Sequence, residues 1–217
     1  MDRRQAWAAV LLAGWLGAAH AAAPAELMDA LQARGDPRRG AALFETCAAC
    51  HGTDGGGVAD GTVPAIAGQP VQVIAKQLVD FRRERRRDLR MQHFADERHL
   101  ETPQDIADVA AHVAQLTSST AAGTGDGAAL ADGAVLYRAR CAGCHGEGAR
   151  PDAARMLPGL AGQHAGYTLR QLSEAAAGER PNMQGAHGRL LAGLGPRDFA
   201  AVADYLSRIA RSGAASR

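Results

Sequence analysis

The sequence predicts an all-α protein built from two tandem copies of one module. Three observations support this prediction: an internal repeat with a step of 94 residues, apolar residues at helical spacing in both copies, and no segment that alternates like a strand. A chain of 217 residues is long enough for two small domains. Aromatic residues make up only 4% of it, which suggests that another apolar group helps to fill the interior.

The repeat appears as short matching segments along the chain. The segments that keep the step of 94 are CAACH at 47 and CAGCH at 141, PAIAGQ at 64 and PGLAGQ at 158, Gln77-Leu78 and Gln171-Leu172, and Arg86 and Arg180. A C-terminal apolar pattern also returns, at residues 106–116 and 199–209, with a step of 93. So many matches in one order indicate duplication of a whole module.

The predicted helices follow from these segments. Apolar residues at 106, 109, 110, 113 and 116 define one helix face, with Thr102 as N-cap and Pro103 in the first turn; Gly195-Pro196 opens the matching helix. Shorter helices are predicted at 37–46 and 133–140, before the cysteine pairs, and near 70–86 and 165–177. The glycine-rich segments after each CxxCH are predicted to be loops.

The N-terminus has the pattern of a secretory signal peptide. Arg3 and Arg4 precede an apolar run from Ala6 to Ala19, and a small-x-small site ends at Ala21. We therefore predict a signal peptide at 1–21, a first domain at 22–117, a linker at 118–130 and a second domain at 131–217. The alternative for the N-terminus is an uncleaved anchor. The apolar run is shorter than the roughly 20 residues that span a bilayer.

Charge excludes one class of function. Without residues 1–21 the chain has 22 basic and 22 acidic residues, and a nucleic-acid-binding protein would usually have a basic excess. We expect no nucleic-acid partner and no small-molecule substrate.

The two CxxCH segments hold the only four cysteines, Cys47, Cys50, Cys141 and Cys144. A CxxCH string is the attachment pattern of c-type haem: two thiols add to the porphyrin vinyl groups and the following imidazole binds iron. Three alternatives are structural disulfides, a thiol–disulfide redox site and a zinc site. Disulfides leave the histidines unexplained, a redox pair usually lies in a βαβ unit, and zinc pairs lie roughly 12–20 residues apart.

Each haem would need a second axial ligand opposite His51 or His145. Met91 and Met183 are the candidates, because they lie 40 and 38 residues after these histidines and are each followed by Gln. The competing histidines, which we expect instead to be exposed loop or helix residues, are His93, His99, His164 and His187.

Two prolines and two arginines complete the candidate sites. Pro64 and Pro158 each lie 13 residues after the histidine, where a backbone carbonyl could accept the other imidazole N–H. The alternative is a simple turn. Arg86 and Arg180 could meet haem propionates.

With these motifs the mature chain resembles class I cytochromes c of the dihaem cytochrome c4 type, from about residue 40 to about residue 209. The resemblance implies two tandem class I cytochrome c domains, each wrapped around one covalently attached haem with His/Met iron. It implies a periplasmic electron-transfer protein rather than an enzyme, working between a quinol-oxidising complex or other donor and a terminal oxidase or other acceptor. Peripheral membrane association is compatible with it. The alternative is a dihaem enzyme or electron-accepting subunit of sulfur-compound oxidation or peroxidase type, with one open or displaceable ligand.

The resemblance also predicts a packing contact in each module. A glycine and an aromatic residue of the first helix should pack against an aromatic residue of the last, as Gly133, Tyr137 and Tyr205 would in the second copy. In the first copy, Gly40 and Phe44 would meet His112, which we predict to be a packing residue.

The segment RRERRRDLR, residues 82–90, has six arginines and two acidic residues. We predict an exposed helix end, with a possible role in steering an acidic redox partner.

Overall fold

The computed structural model describes residues 24–183 and 185–211, and within them the chain is helical. The helices are α1 (Ala25–Gln32), α2 (Pro37–His51), α3 (Val71–Arg82), α4 (Leu89–Phe94), α5 (Pro103–Gln115), α6 (Leu130–Arg140), α7 (Ala142–His145), α8 (Ala165–Ala176), α9 (Ala186–Leu191) and α10 (Pro196–Arg208), with a 3₁₀ turn at Pro181–Met183. The only extended pairing in these ranges is an isolated bridge between Asp152 and Leu157. The all-α prediction is confirmed.

Three predicted boundaries differ from the structure. The helix predicted at 133–140 starts three residues earlier, as α6 at Leu130. The first helix was predicted to stop at residue 46, but α2 continues through CAACH to His51, because Ala48 and Ala49 favour helix. The third helix was predicted near 70–86, but α3 ends at Arg82, and Glu84 has a φ of 54°. The Arg82 guanidinium, at the end of α3, donates hydrogen bonds to the carbonyls of Ala95 and Leu100, at 2.7 and 2.6 Å.

In the first module, α2 crosses α5 at close range. A Cβ on Gly40 would lie 2.0 Å from the Asp108 carbonyl oxygen, so the crossing requires glycine. Beside it, the rings of Phe44 and His112 lie 5.2 Å apart. His112 is therefore a packing residue, as predicted.

In the second module, α6 crosses α10 in the same way. A Cβ on Gly133 would lie 2.1 Å from the Ala201 carbonyl oxygen, and the rings of Tyr137 and Tyr205 lie 5.7 Å apart. Both predicted packing contacts are thus present. The cores beneath them are mostly aliphatic, with Ile106, Val109 and Val113 in the first module and Val202 and Leu206 in the second.

The two modules meet through a reciprocal pair of glutamines. The buried side chain of Gln163 bonds the Ala65 N–H and carbonyl, at 3.0 and 2.8 Å. Gln69, its equivalent in the repeat, bonds the Gly159 N–H and carbonyl, at 2.9 and 2.8 Å. Because Ala65 and Gly159 are also equivalent, the interface has an approximate two-fold symmetry.

The predicted linker is held in place along its length. Asp54 accepts hydrogen bonds from Ser118 and Ser119, and Asp204 accepts from the N–H groups of Gly125 and Gly127. Serine and glycine are typical of flexible linkers. Here these residues are hydrogen-bonded to Asp54 of the first module and to Asp204 of the second.

His164 was expected to be an exposed histidine and is instead fully buried. Its Nδ1 accepts from the Gly123 N–H at 3.0 Å, and its Nε2 lies 2.8 Å from the Gly56 carbonyl. It therefore joins the linker to both modules and is unavailable to iron.

The predicted signal peptide lies outside the described residues. Within them, no helix is long and apolar enough to cross a membrane.

Candidate haem sites

In the first module, CAACH forms the C-terminal end of α2. The Asp36 carboxylate caps the start of this helix, and Gly52, with a φ of 76°, ends it. Cys47 and Cys50 are three residues apart and therefore share one face of the helix, with His51 directly after them.

His51 is oriented by the carbonyl of Pro64. The imidazole is 6% exposed, and its Nδ1 lies 3.1 Å from the Pro64 oxygen. Gly57 allows this approach, because a Cβ there would lie 2.5 Å from the same oxygen. With the proton on Nδ1, Nε2 is the free ligating atom. Burial lowers the pKa of His51, and Arg86 and Arg90 lower it further, so the imidazole is neutral as a metal ligand must be.

In the second module, the equivalent helix breaks within CAGCH. α6 ends at Arg140 and α7 starts at Ala142, because Gly143 stands where the first module has alanine. The buried Tyr137 hydroxyl donates to the Gly146 carbonyl at 2.7 Å, which holds the turn after His145.

His145 is less firmly oriented than His51. Its Nδ1 is buried and has no partner with hydrogen-bond geometry, although the Pro158 carbonyl is close enough to raise the pKa of this imidazole. Burial is the larger effect and lowers that pKa, as it does for His51. The predicted proline carbonyl is thus bonded in the first module and only nearby in the second.

The cysteines do not have the character of a thiol–disulfide redox pair. Cys47 and Cys141 are half-buried, and Cys50 and Cys144 are exposed. Burial raises the pKa of Cys47 and of Cys141, whereas a reactive redox cysteine has a lowered pKa. In the described part of the chain, no three His, Cys, Asp or Glu side chains are grouped as a metal site, which leaves the zinc alternative without support.

The two candidate methionines lie in different surroundings. Met91 is in α4, whose N-terminus is capped by Asp88. Asp88 and Arg90 both affect the pKa of His51, so this end of α4 lies beside the first imidazole. Met183 ends the 3₁₀ turn and packs against the apolar cluster of Ala175, Leu191 and Phe199.

The competing histidines also differ between the modules. In the first module, His93 and His99 meet edge-to-face, with ring centres 4.8 Å apart, and both contact Phe94. His187 lies opposite His145, with ring centres 6.3 Å apart and ring planes inclined by 50°.

Arg86 and Arg180 meet at the interface between the modules. Arg86 donates to Gln77, Gln171 and the hydroxyl of Tyr167. Burial and then the charge of Arg86 lower the pKa of Arg180 to about 10. The direct hydrogen-bond partner of Arg180 is the Asn182 side chain, at 3.2 Å, and the charges of Glu174 and Asp80 raise the pKa of Arg180 only weakly.

These features fit a haem in each module. Each CxxCH segment offers two thiols and a largely desolvated imidazole whose pKa is lowered. The repeat indicated these residues, but it could not identify Tyr167 as a partner of Arg86, because Tyr167 has no aromatic counterpart in the first copy.

Comparison with known proteins agrees with this arrangement. The cytochrome c family model matches residues 37–117 and 130–210. Cytochrome c4 of Pseudomonas aeruginosa is 32% identical over 211 residues, covering 91% of this chain and 94% of that protein. The crystal structure of reduced cytochrome c4 from Pseudomonas stutzeri superposes with a TM-score of 0.73 at 29% identity, covering 81% of this chain and all of that chain.

A second type of relative is also similar. The thiosulfate dehydrogenase electron acceptor of Stutzerimonas stutzeri is 33% identical over 171 residues, which cover 75% of this chain and 78% of that protein. The duplicated family match, the paired CxxCH helices and these similarities together show that the chain belongs to the cytochrome c family, as a dihaem electron-transfer protein of the cytochrome c4 type with two covalent c-type haems.

Proposed function

We propose that this chain is a periplasmic electron carrier in which each module holds one haem between a histidine and a methionine. Cys47 and Cys50 attach the first haem and Cys141 and Cys144 the second; the axial pairs are His51 with Met91 and His145 with Met183. The observation that carries the proposal is the neutral, buried imidazole of His51, oriented by Pro64 at the end of the CxxCH helix.

The haem supplies one-electron chemistry, and the protein sets its ligands and surroundings. Pro64 fixes the ring orientation of His51, and Pro158 would do the same for His145. Arg86 and Arg180 would bind propionates at the interface, which would place the charged edges of the two haems beside each other. Two closed irons with strong ligands suit electron transfer rather than chemistry on a bound substrate.

For partners, we propose a quinol-oxidising complex or similar donor and a terminal oxidase as acceptor. The predicted signal peptide and the cytochrome c4 relatives support this. A second candidate is accepting electrons from a thiosulfate-oxidising enzyme, which is supported by the similarity to the thiosulfate dehydrogenase electron acceptor.

We further propose that an acidic partner docks beside the first haem. Leu89 is 84% exposed, and Arg85, Arg87 and Arg90 around it are also exposed. Asp88 and, more weakly, the sulfur of Cys50 raise the pKa of Arg90, so this arginine lies near a haem attachment point. An apolar side chain within a cationic rim is complementary to an acidic redox protein.

The test of the His/Met proposal is carbon monoxide binding to the dithionite-reduced holoprotein. The wild-type spectrum should not change, because both irons are closed. Met91→Ala should bind one carbon monoxide per chain. The matched control is Met28→Ala, which removes a methionine that is 42% exposed on α1. Binding by the wild type, or no binding by Met91→Ala, would contradict the proposal.

A further inference from the structure

The second module has a feature that the first one lacks: a histidine that faces the proximal imidazole. The ring centres of His145 and His187 lie 6.3 Å apart. No ring contacts His51 in the part of the chain that the structure describes. In that module His93 and His99 pack edge-to-face with each other and with Phe94, and His112 packs on Phe44.

The separation of 6.3 Å is the distance expected for two imidazoles on one metal ion. A metal–imidazole bond is about 2 Å long, so two rings bound through one nitrogen each on opposite sides of one ion have centres about 6 Å apart. Rings in direct contact, such as the edge-to-face pair of His93 and His99 at 4.8 Å, are closer. The distance therefore leaves room for an iron ion between His145 and His187.

The surroundings of Met183 point in the same direction. The Met183 side chain packs against the apolar cluster of Ala175, Leu191 and Phe199. If Met183 bound the iron, its side chain would contact both this cluster and the face of the haem. The α9 helix that carries His187 starts after Gly185, which has a φ of 87°, and a Cβ on Gly188 would meet no atom within 4 Å. The His187 imidazole is hydrogen-bonded to the Met183 backbone carbonyl, so the two candidate ligands are neighbours.

We propose that His187 is an axial ligand of the second haem iron, opposite His145 and in competition with Met183. This proposal rests on the proposed role of His145 as the proximal ligand. Imidazole is a harder ligand than a thioether and favours ferric iron, whereas methionine raises the reduction potential. The second haem would then have a ligand that the first haem does not have, and its potential would depend on which ligand is bound.

The test is electron paramagnetic resonance of the ferric holoprotein in three variants. Leucine keeps the volume of methionine in the core, so we compare Met183→Leu, the matched Met91→Leu, and the double variant Met183→Leu/His187→Ala. We expect the second haem of Met183→Leu to stay low-spin with a bis-histidine signal. The double variant should show one high-spin haem per chain, and added imidazole should return it to low-spin.

Two results would overturn the proposal: a high-spin second haem in Met183→Leu, or a low-spin second haem in the double variant without added imidazole. Met91→Leu separates this inference from the proposed function, because its first haem should become high-spin if Met91 is the ligand. A low-spin first haem in Met91→Leu would contradict the His/Met proposal for that module, whereas the result for His187 would still stand by itself.

Discussion

At the scale of single residues, Leu89 and Arg90 are placed where they can affect electron exchange without affecting folding. Both side chains are exposed in the first turn of α4, and Arg90 lies near Cys50. The charge of Arg90 is partly offset by Asp88, at 3.3 Å, while no described carboxylate pairs with Arg87. A charge on this surface should therefore act on the approach of a redox partner rather than on stability.

We predict that Arg87→Glu/Arg90→Glu slows oxidation of the reduced protein by hexacyanoferrate(III), an anionic probe, about threefold or more at low salt. The effect should vanish near 1 M salt, where the Debye length is about 3 Å. Stopped-flow absorbance measures the rate. A cationic probe, hexaammineruthenium(III), should react faster with the variant.

The control is Arg38→Glu, a charge reversal at the opposite end of α2 from Cys50. Arg38 is exposed, and twelve residues of helix separate it from Cys50 by about 18 Å. Equal slowing by the control and the double reversal would contradict a local docking surface at 87–90.

At the scale of secondary-structure elements, the two helix crossings depend on Gly40 and Gly133. In each crossing a carbonyl oxygen occupies the space that a Cβ would need. Polar contacts reinforce the first one, since Arg39 in α2 pairs with Asp105 and the fully buried Asp108 in α5.

We predict that Gly133→Ala lowers the free energy of unfolding by about 2 kcal/mol, because overpacking outweighs the gain in helix propensity. The matched control is Gly188→Ala in α9, where the added methyl meets nothing within 4 Å. That variant should be unchanged or stabilised by up to about 1 kcal/mol. Urea unfolding of the holoproteins measures both, and equal stability of the two variants would contradict the crossing argument.

Helices with strong start signals could be predicted well, and those without them could not. Thr102 and Pro103 gave the start of α5, where the Thr102 side chain and Asp105 form a capping box. By contrast, the arginine-rich segment gave no sign that α3 ends at Arg82, because that end depends on contacts with Ala95 and Leu100, distant in sequence. α1 has eight residues and no side-chain cap, so nothing in the pattern indicated it.

Some site residues could likewise be predicted from the sequence, and others could not. The CxxCH pairs and Pro64 could be predicted because their chemistry depends on fixed spacing along the chain. The positions of His164 and His187 could not, because one is decided by burial under the linker and the other by the packing of α9. The methionine pairing with iron stays a prediction.

At the scale of the whole molecule, the reciprocal glutamines join the two modules through four hydrogen bonds. Gln163 is buried and Gln69 is partly exposed, yet each bonds both backbone groups of one residue across the interface. Asn182 adds a bond from the second module to Asp80 in the first, at 2.9 Å.

We predict that Gln163→Ala costs about 2 kcal/mol or more, because it leaves the N–H and carbonyl of Ala65 buried without partners. Gln69→Ala should cost less, and the double variant should unfold in two calorimetric transitions instead of one. The control is Gln115→Ala, an exposed glutamine at the end of α5. A single transition in the double variant, with the melting temperature of the control, would contradict a role for these bonds in cooperativity.

The symmetry of this interface also bears on the history of the chain. An exchange in which the same glutamine of each half bonds the same backbone position of the other is the contact that two identical ancestors would make as a homodimer. Fusion of the duplicated genes would have made that association independent of concentration. The halves now differ at equivalent places: one has the pair Tyr137 and Tyr205 and a second histidine ring near His145, whereas the other has Phe44 and His112.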